Sequence, residues 1–536
     1  MSRKDFERLP LVLVLLATTL VLVPVFWNGF VFDDLYVFVA ADRIHELANI
    51  PSFFLHNTLY VTEQQTPVSI DTYRPMTLAS FAIDSAFTGR NPLGYHVTNL
   101  LLHLLNVSLV YAIAQRLMTE ENRRYAWLAA AWFGLSPWIG EAHIWINGRS
   151  DPLCTAFALS GLLVWDRAIT SARGWTYALS GPLFLAALLS KEVAMGVLPA
   201  LLLWPRLSSQ LPTWRDRAKA LWAPCLAGMG YLLVRASVLG SGQSHRDLSQ
   251  LFEAARNFGI LFFDGLVTAF LPSPPYLRSL SDAYASLSPS LLWLLTALAV
   301  GLLIAVVAWR RRQPSLSWSL IFFALTLAPV VVITVQNWPG FGRYLYLPIA
   351  GLSAGLVDSL ATQLRKVSAL QQPRMKRILA VALTAYLGLL AVLLHRFTYD
   401  FANDGALYGS VIESAPDSGH GYGYLGLSLL GIRQNEEAVH YLREALERDP
   451  RQIIYRTGLA NALIASDRRQ EAVALLEGWM DDSPKDEAAS YFALITQALR
   501  DSDPDRTVAA AQTCLRINPQ AKSCRERLQA LGGTRP

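Results

Sequence analysis

The sequence predicts an all-α protein in two parts, a polytopic membrane helical bundle of about eleven spans followed by a C-terminal α-solenoid. Three observations predict it. The 536-residue chain is 53% hydrophobic and 16% charged, and its apolar residues gather in runs of about 20, the length that crosses a bilayer. Basic residues concentrate in alternate connections between those runs. In the polar last quarter, prolines recur at Pro416, Pro450, Pro484 and Pro519, spaced 34, 34 and 35 residues apart.

Apolar runs place spans near 10–27, 95–117, 126–144, 152–170, 175–190, 192–205, 218–238, 289–309, 316–336, 344–362 and 377–395. The opening LPLVLVLLATTLVLVPVFW follows a basic start, but bulky residues stand where a cleavage site would need small ones, which makes it a retained first helix. A further piece at 258–272 is short and carries Asp264 in its middle. Leaving it out of the spans puts twenty basic residues on the side of the N-terminus and ten on the other, as the positive-inside rule asks. Counting it would move Arg310 to Arg312 and the five basic residues from Arg365 to Arg377 outward. Eleven spans therefore predict a cytoplasmic N-terminus and an outward C-terminal domain. Because 39 of 46 basic residues are Arg, a bacterial inner membrane is expected, with the periplasm outside. A net charge of +5 and no basic patch exclude a nucleic-acid surface.

The domains are expected at 1–395 and 396–536. The 34-residue period is that of the tetratricopeptide repeat. In GHGYGYLGLSLLGIRQNEEAVHYLREALERDP, Tyr422, Leu425, Gly426, Leu429, Ala438, Leu442, Ala445 and Pro450 stand where the motif alternates large and small residues and ends in proline. The third copy has Thr507 where Ala is usual, and QAKSCRERLQAL reads as a terminal cap. Cys154 and Cys225 fall in membrane segments as inert core residues, whereas Cys514 and Cys524 flank Pro519 symmetrically and could pair by disulfide in an oxidising compartment.

Ionisable residues near a membrane are expensive, so their positions are informative. Asp33 and Asp34 stand at the mouth of the first span, in FDD; Tyr73 and Arg74 follow in TYRP. LSPWIGEAHIWINGRSDPL carries Glu141, His143, Arg149 and Asp151; LLSKEVAMGVLP carries Lys191 and Glu192; QNWPGFGRYLYLP carries Arg343, Tyr344 and Tyr346. His96, Asn99, His103 and Asn106 share one helical face by their spacing, either to line a cavity or to hydrogen-bond between helices. All these loops fall on the outward side.

The order FDD, TYRPMTLASFAID, YHVTNLLLHLLN, LSPWIGEAHIWINGRSD, LLSKE, GRYLYLP and trailing repeats resembles the transmembrane and tetratricopeptide repeat-containing O-mannosyltransferases and their bacterial relatives, of the GT-C class of glycosyltransferases. The chain departs from them in the polar Asn147 of NGRSD and in carrying only about three repeats. The resemblance implies an enzyme that takes a sugar, mannose for example, from a polyprenyl-phosphate carrier and passes it to a protein Ser/Thr hydroxyl with inversion. It implies Asp33 as base, with Asp34 as its orienter or its alternate, and Glu141 and Asp151 as further acids that polarise the base or a divalent cation. Arg343 with Tyr344, and then Arg74, Arg149 and Lys191, would hold the donor phosphate. His96, Asn99, His103, His143 and Glu192 would line the cavity. A same-fold enzyme acting on a lipid or envelope glycan, and a non-catalytic scaffold built on the repeats, are the alternatives.

Overall fold

The computed structural model describes residues 3–62, 72–171, 174–211, 213–239, 248–271, 287–334, 342–367, 372–480, 485–499, 503–518 and 521–530. The described residues are helical, with no strand among them. They divide into two compact units, residues 1–403 and 404–536.

The first unit runs α1 (Arg3–Leu22), α2 (Ile50–Phe53), α3 (Pro75–Thr88), α4 (Pro92–Leu117), α5 (Ala126–Gly134), α6 (Glu141–Ile144), α7 (Ser150–Ser171), α8 (Gly174–Ala178), α9 (Ser180–Ser190), α10 (Val197–Leu201), α11 (Pro205–Gln210), α12 (Trp214–Leu239), α13 (Leu248–Phe270), α14 (Pro289–Trp309), α15 (Pro314–Thr334), α16 (Tyr346–Lys366) and α17 (Pro373–Asp400). Eight of these stretches are long and apolar enough to cross a membrane: 9–27, 92–117, 146–171, 214–239, 289–309, 314–331, 342–366 and 373–400. Their apolar residues divide by partner. Trp165 of α7, Trp204, and Trp318 and Phe322 of α15 are buried in one core with Val107 and Val110 of α4 and Ile349 and Ala350 of α16, while Leu294 and Ile304 of α14 and Val381 and Val392 of α17 stay exposed, as lipid-facing side chains do.

Two expected spans are broken. The run 126–144 is helical only to Gly134, then passes through a turn at Pro137–Ile139 before α6. The run 192–205 is a 3₁₀ turn over Glu192–Gly196 followed by one turn of helix. Irregular backbone at membrane depth survives where protein buries it or where it lines a polar site, and both breaks carry the ionisable residues described below. By contrast, 258–270 belongs to the continuous 23-residue helix α13, packed on α14 and α15, where the sequence predicts only a short piece. Cys154 is buried as expected, but Cys225 is exposed on α12 and is no core residue.

The second unit stacks antiparallel helix pairs: α18 (Asp404–Ser414), α19 (Gly419–Gly431), α20 (Asn435–Arg448), α21 (Ile453–Ala465), α22 (Arg469–Met480), α23 (Lys485–Ala498), α24 (Pro504–Ile517) and α25 (Lys522–Ala530). The small positions act as the motif requires. A side chain at Gly426 would meet Leu442 Cγ at 2.7 Å, and Ala438, Leu442 and Ala445 are buried against Tyr455 and Leu459. Thr507 is buried in Ala's place and its hydroxyl donates to the Asp503 carbonyl at 2.7 Å, so no polar atom is orphaned there. Cys514 and Cys524 are joined by a disulfide that ties α24 to α25. Pro484 and Pro519 lie outside the described residues.

Candidate functional site

The first loop is pinned at its start: Asn28 Nδ2 donates to the Thr398 carbonyl at 2.8 Å and the Gly29 amide to the Ala402 carbonyl at 3.0 Å. Phe32 then adopts φ +53°, a left-handed conformation that costs a bulky residue of order 1–3 kcal/mol and is tolerated where surroundings impose it. Its ring packs 5.7 Å from that of Trp145. Directly after the acidic pair comes a π-turn over Leu35–Val39, whose Phe38 is sealed among Phe53, Phe81 and Tyr95. Asp33 and Asp34 therefore sit on a strained bend held at both ends.

The two carboxylates have separate environments. Asp34 is fully buried; one oxygen accepts the Val31 amide at 3.2 Å and the other the Asn147 amide at 3.0 Å. It fastens loop 146–149 to the first loop through backbone alone, so the contact is indifferent to the side chain at 147. Asp33 is partly exposed and, among the described residues, makes no hydrogen bond or ion pair. Burial pushes its pKa up to about 6, with the Arg343 guanidinium pulling the other way.

Beside it lies a chain of three ion pairs. Glu141 meets Arg343 at 3.6 Å, Asp151 meets Lys191 at 2.6 Å, and Glu192 takes Arg74 in a fork at 2.7 and 3.2 Å. Tyr344 links the first two, with Lys191 Nζ 4.6 Å and Arg343 Cζ 5.1 Å from its ring centre; Arg343 also lies 4.9 Å over Trp145. Glycine makes this approach feasible: a side chain at Gly342 would meet the Trp138 carbonyl at 2.2 Å, and one at Gly148 the Glu141 carbonyl at 2.7 Å. The pairs grade in accessibility. Lys191 and Asp151 are 1% and 4% exposed, Arg343 and Glu141 12% and 7%, Arg74 and Glu192 20% and 22%. Only the last two pairs are within reach of a ligand.

Several expected residues belong elsewhere. Arg149 does not join the phosphate-binding group: it is fully buried, paired with Asp84 at 2.5 Å, donating to Asn99 Oδ1 at 2.6 Å, to the Tyr95 carbonyl at 2.9 Å and to the Ser80 carbonyl at 3.2 Å, and stacked on Phe81. Its donors hold α3 to α4. Asn99, His103 and Asn106 do not line open space either. Asn99 donates to the Trp145 and Ile146 carbonyls, and Asn106 to the Pro152 carbonyl and the Tyr346 hydroxyl. His103 Nε2 faces the Gly134 carbonyl at 3.1 Å, which can only accept; that ring nitrogen therefore carries the proton, and Nδ1 accepts from Tyr346 at 2.8 Å. His96 and His143 are buried, the latter stacked 3.8 Å on His103. Asn99, His103 and Asn106 thus serve interhelical hydrogen bonding, whereas the ring nitrogens of His96 and His143 meet no hydrogen-bond partner among the described residues. Asp84 and Trp145 were not singled out in sequence; nothing local in TYRPMTLASFAID marks Asp84 as the partner of an arginine 65 positions on, a distance read from the numbering. The 336–341 part of QNWPGFGRYLYLP lies outside the described residues. No three His, Cys, Asp or Glu side chains among the described residues gather as a metal would need.

Fold and site together define a membrane helical bundle with a polar, ion-paired centre, followed by a helical-repeat solenoid. Residues 429–498 match the tetratricopeptide repeat family. The chain resembles the transmembrane and tetratricopeptide repeat-containing O-mannosyltransferases. It is 31% identical over 173 residues to Protein O-mannosyl-transferase Tmtc1 of Drosophila melanogaster, covering 32% of this chain and 19% of that one. It is 27% identical over 147 residues to TMTC3 of Mus musculus (27% and 16% covered) and 29% identical over 140 residues to TMTC1 of Homo sapiens (26% and 16%). The chain thus spans less than a fifth of the length of these relatives. No solved structure matches.

Proposed function

We propose that this chain is an integral membrane glycosyltransferase of the GT-C class, passing a sugar from a polyprenyl-phosphate carrier to a Ser/Thr hydroxyl of a protein. The observation that carries the proposal is Asp33: the one acid of the centre with neither a hydrogen bond nor an ion pair among the described residues, partly exposed, on an imposed bend next to the Arg343 charge. The relatives' name as protein O-mannosyl-transferases supports mannose as the sugar and a protein as the acceptor.

The acceptor hydroxyl gives its proton to the Asp33 carboxylate while its oxygen bonds to the anomeric carbon. The bond from that carbon to the phosphate oxygen breaks, and its electron pair leaves with the polyprenyl phosphate. Arg343 and Arg74 meet the charge that develops there, each already oriented by a carboxylate, and attack opposite the leaving group inverts the centre. Asp34 positions Asp33 and the 146–149 loop. Lys191, too deep to touch a ligand, holds Asp151 and braces Tyr344. The repeats would recruit the acceptor.

Because Asp33 works only when ionised and its pKa is about 6, kcat/KM is expected to fall about tenfold per pH unit below that value and to level off above it. A profile flat between pH 5 and 7 would count against Asp33 as base. Mass spectrometry of periplasmic proteins and envelope glycans, with and without the gene, tests the reaction directly: loss of hexose from Ser/Thr peptides is expected, and loss confined to glycans would reassign the acceptor. The purified protein is expected to use polyprenyl-phosphate sugar and not a nucleotide sugar alone.

Eleven crossings follow if the eight long helices are joined by the broken 126–144 and 192–205 runs and by Trp175–Ser190. With the basic connections inside, this count would put the N-terminus in the cytoplasm of a bacterial inner membrane and the repeats in the periplasm. Protease added to spheroplasts should then release a fragment beginning near residue 400, and inverted vesicles should protect it. The reverse pattern would end the topology.

A further inference from the structure

At the opposite end of the bundle from Asp33, two arginines share one carboxylate. Asp166 of α7 is 1% exposed; its Oδ2 accepts Arg116 Nη1 from the last turn of α4 and Arg206 Nη1 from α11, both at 2.9 Å, and its Oδ1 accepts the indole N–H of Trp204 at 2.8 Å. One negative charge therefore faces two positive ones. Both guanidiniums approach through a single nitrogen rather than as a fork, and they remain 38% and 33% exposed. Among the described residues Asp166 is the only partner of Arg116, which leaves four of its five N–H donors unengaged.

Among the described residues the acids on neighbouring connections are engaged elsewhere. Glu120 pairs with Arg123, Glu121 with Arg365, Asp216 accepts from Thr213, and Asp358 is enclosed by Thr119, Asn122 and Ser315. A second observation sets the depth of the hub. Trp175, nine positions beyond Asp166, is 62% exposed, and Trp214, eight beyond Arg206, is 74% exposed. Trp309, next to Arg310, is 53% exposed. Exposed tryptophans at helix ends mark the headgroup layer, where a phosphate monoanion is the abundant counter-charge.

We propose that Arg116 and Arg206, converging on Asp166, bind the phosphate of an anionic phospholipid. The lipid completes the charge of the hub and ties α4, α7 and α11 together at the cytoplasmic surface. Only the name of the leaflet rests on the topology proposed above.

The test uses the full chain in detergent, titrated with phosphatidylglycerol, with phosphatidylcholine or with inorganic phosphate, and followed by native mass spectrometry and thermal melting. Phosphatidylglycerol is expected to be retained and to raise the melting temperature, and the other two are not. Arg116→Gln should weaken the apparent affinity about five- to tenfold, with Arg116→Lys keeping most of it. If Arg116→Gln cannot be purified folded, Arg206→Gln should show the same fall. Equal binding by wild type and the glutamine variants, equal protection by phosphatidylcholine, or protection by inorganic phosphate alone would each overturn the lipid assignment. Binding is read without sugar transfer, so this inference and the enzymatic one fail separately.

Discussion

Asp33→Asn is expected to lower sugar transfer by about 10²–10⁴-fold, the range for losing a general base, while the protein inserts, folds and binds donor as before. The structure explains why the variant should fold. Asp33 is partly exposed and supports no contact among the described residues, so an amide of the same size replaces it without orphaning a partner. Asp34→Asn is its counterpart. That carboxylate accepts two backbone amides from opposite sides, and an amide side chain can accept with only one of its two terminal atoms. The variant should loosen the 146–149 loop, show a lower melting temperature and lose activity through misplacement. If Asp33→Asn leaves transfer intact in a folded protein, the base lies elsewhere, with Glu141 next to examine. If none of Asp33, Asp34, Glu141 and Asp151 matters, the scaffold alternative takes precedence.

Lys191→Ala is expected to cost about 3–5 kcal/mol of stability, because it strands Asp151 as an uncompensated buried charge. The double variant Lys191→Ala, Asp151→Asn should recover part of that loss, since it removes both charges. Measured in detergent as melting temperature, this cycle separates a bracing role from a phosphate-binding one. A lysine that held the donor would show weaker donor binding with unchanged stability, and the double variant would restore nothing. Arg343→Ala should weaken donor binding roughly ten- to hundredfold for the loss of one charge-assisted contact, and should also lower the melting temperature because it leaves Glu141 without its partner.

Much of the fold was legible in sequence because its causes are local or periodic. Apolar runs long enough for a bilayer, basic residues at alternate ends and a 34-residue recurrence of small residues and proline each act over tens of residues, and each survives as helices in the structure. The list of ionisable residues was legible for a related reason: charge near a membrane is costly enough to stand out wherever it occurs. Asp33, Asp34, Glu141, Asp151, Lys191, Glu192, Arg74 and Arg343 were all named from that argument.

Which of them pairs with which was decided only by tertiary structure. Arg149 and Arg74 look alike in sequence, yet one is enclosed by Asp84, Asn99 and Tyr95 and the other sits half-open on Glu192. Asp33 and Asp34 are adjacent, yet the left-handed turn at Phe32 and the π-turn after them send one to two backbone amides and leave the other uncommitted. The breaks at 135–140 and 192–196 carry Pro137 and Gly140 in one and Glu192 and Gly196 in the other, yet whether such residues interrupt a span depends on the protein packed around them. The physical reason is common to all three. Residue type sets what a group costs to bury, but the partner that meets that cost comes from a segment tens to hundreds of positions away, and only packing the helices brings the two together.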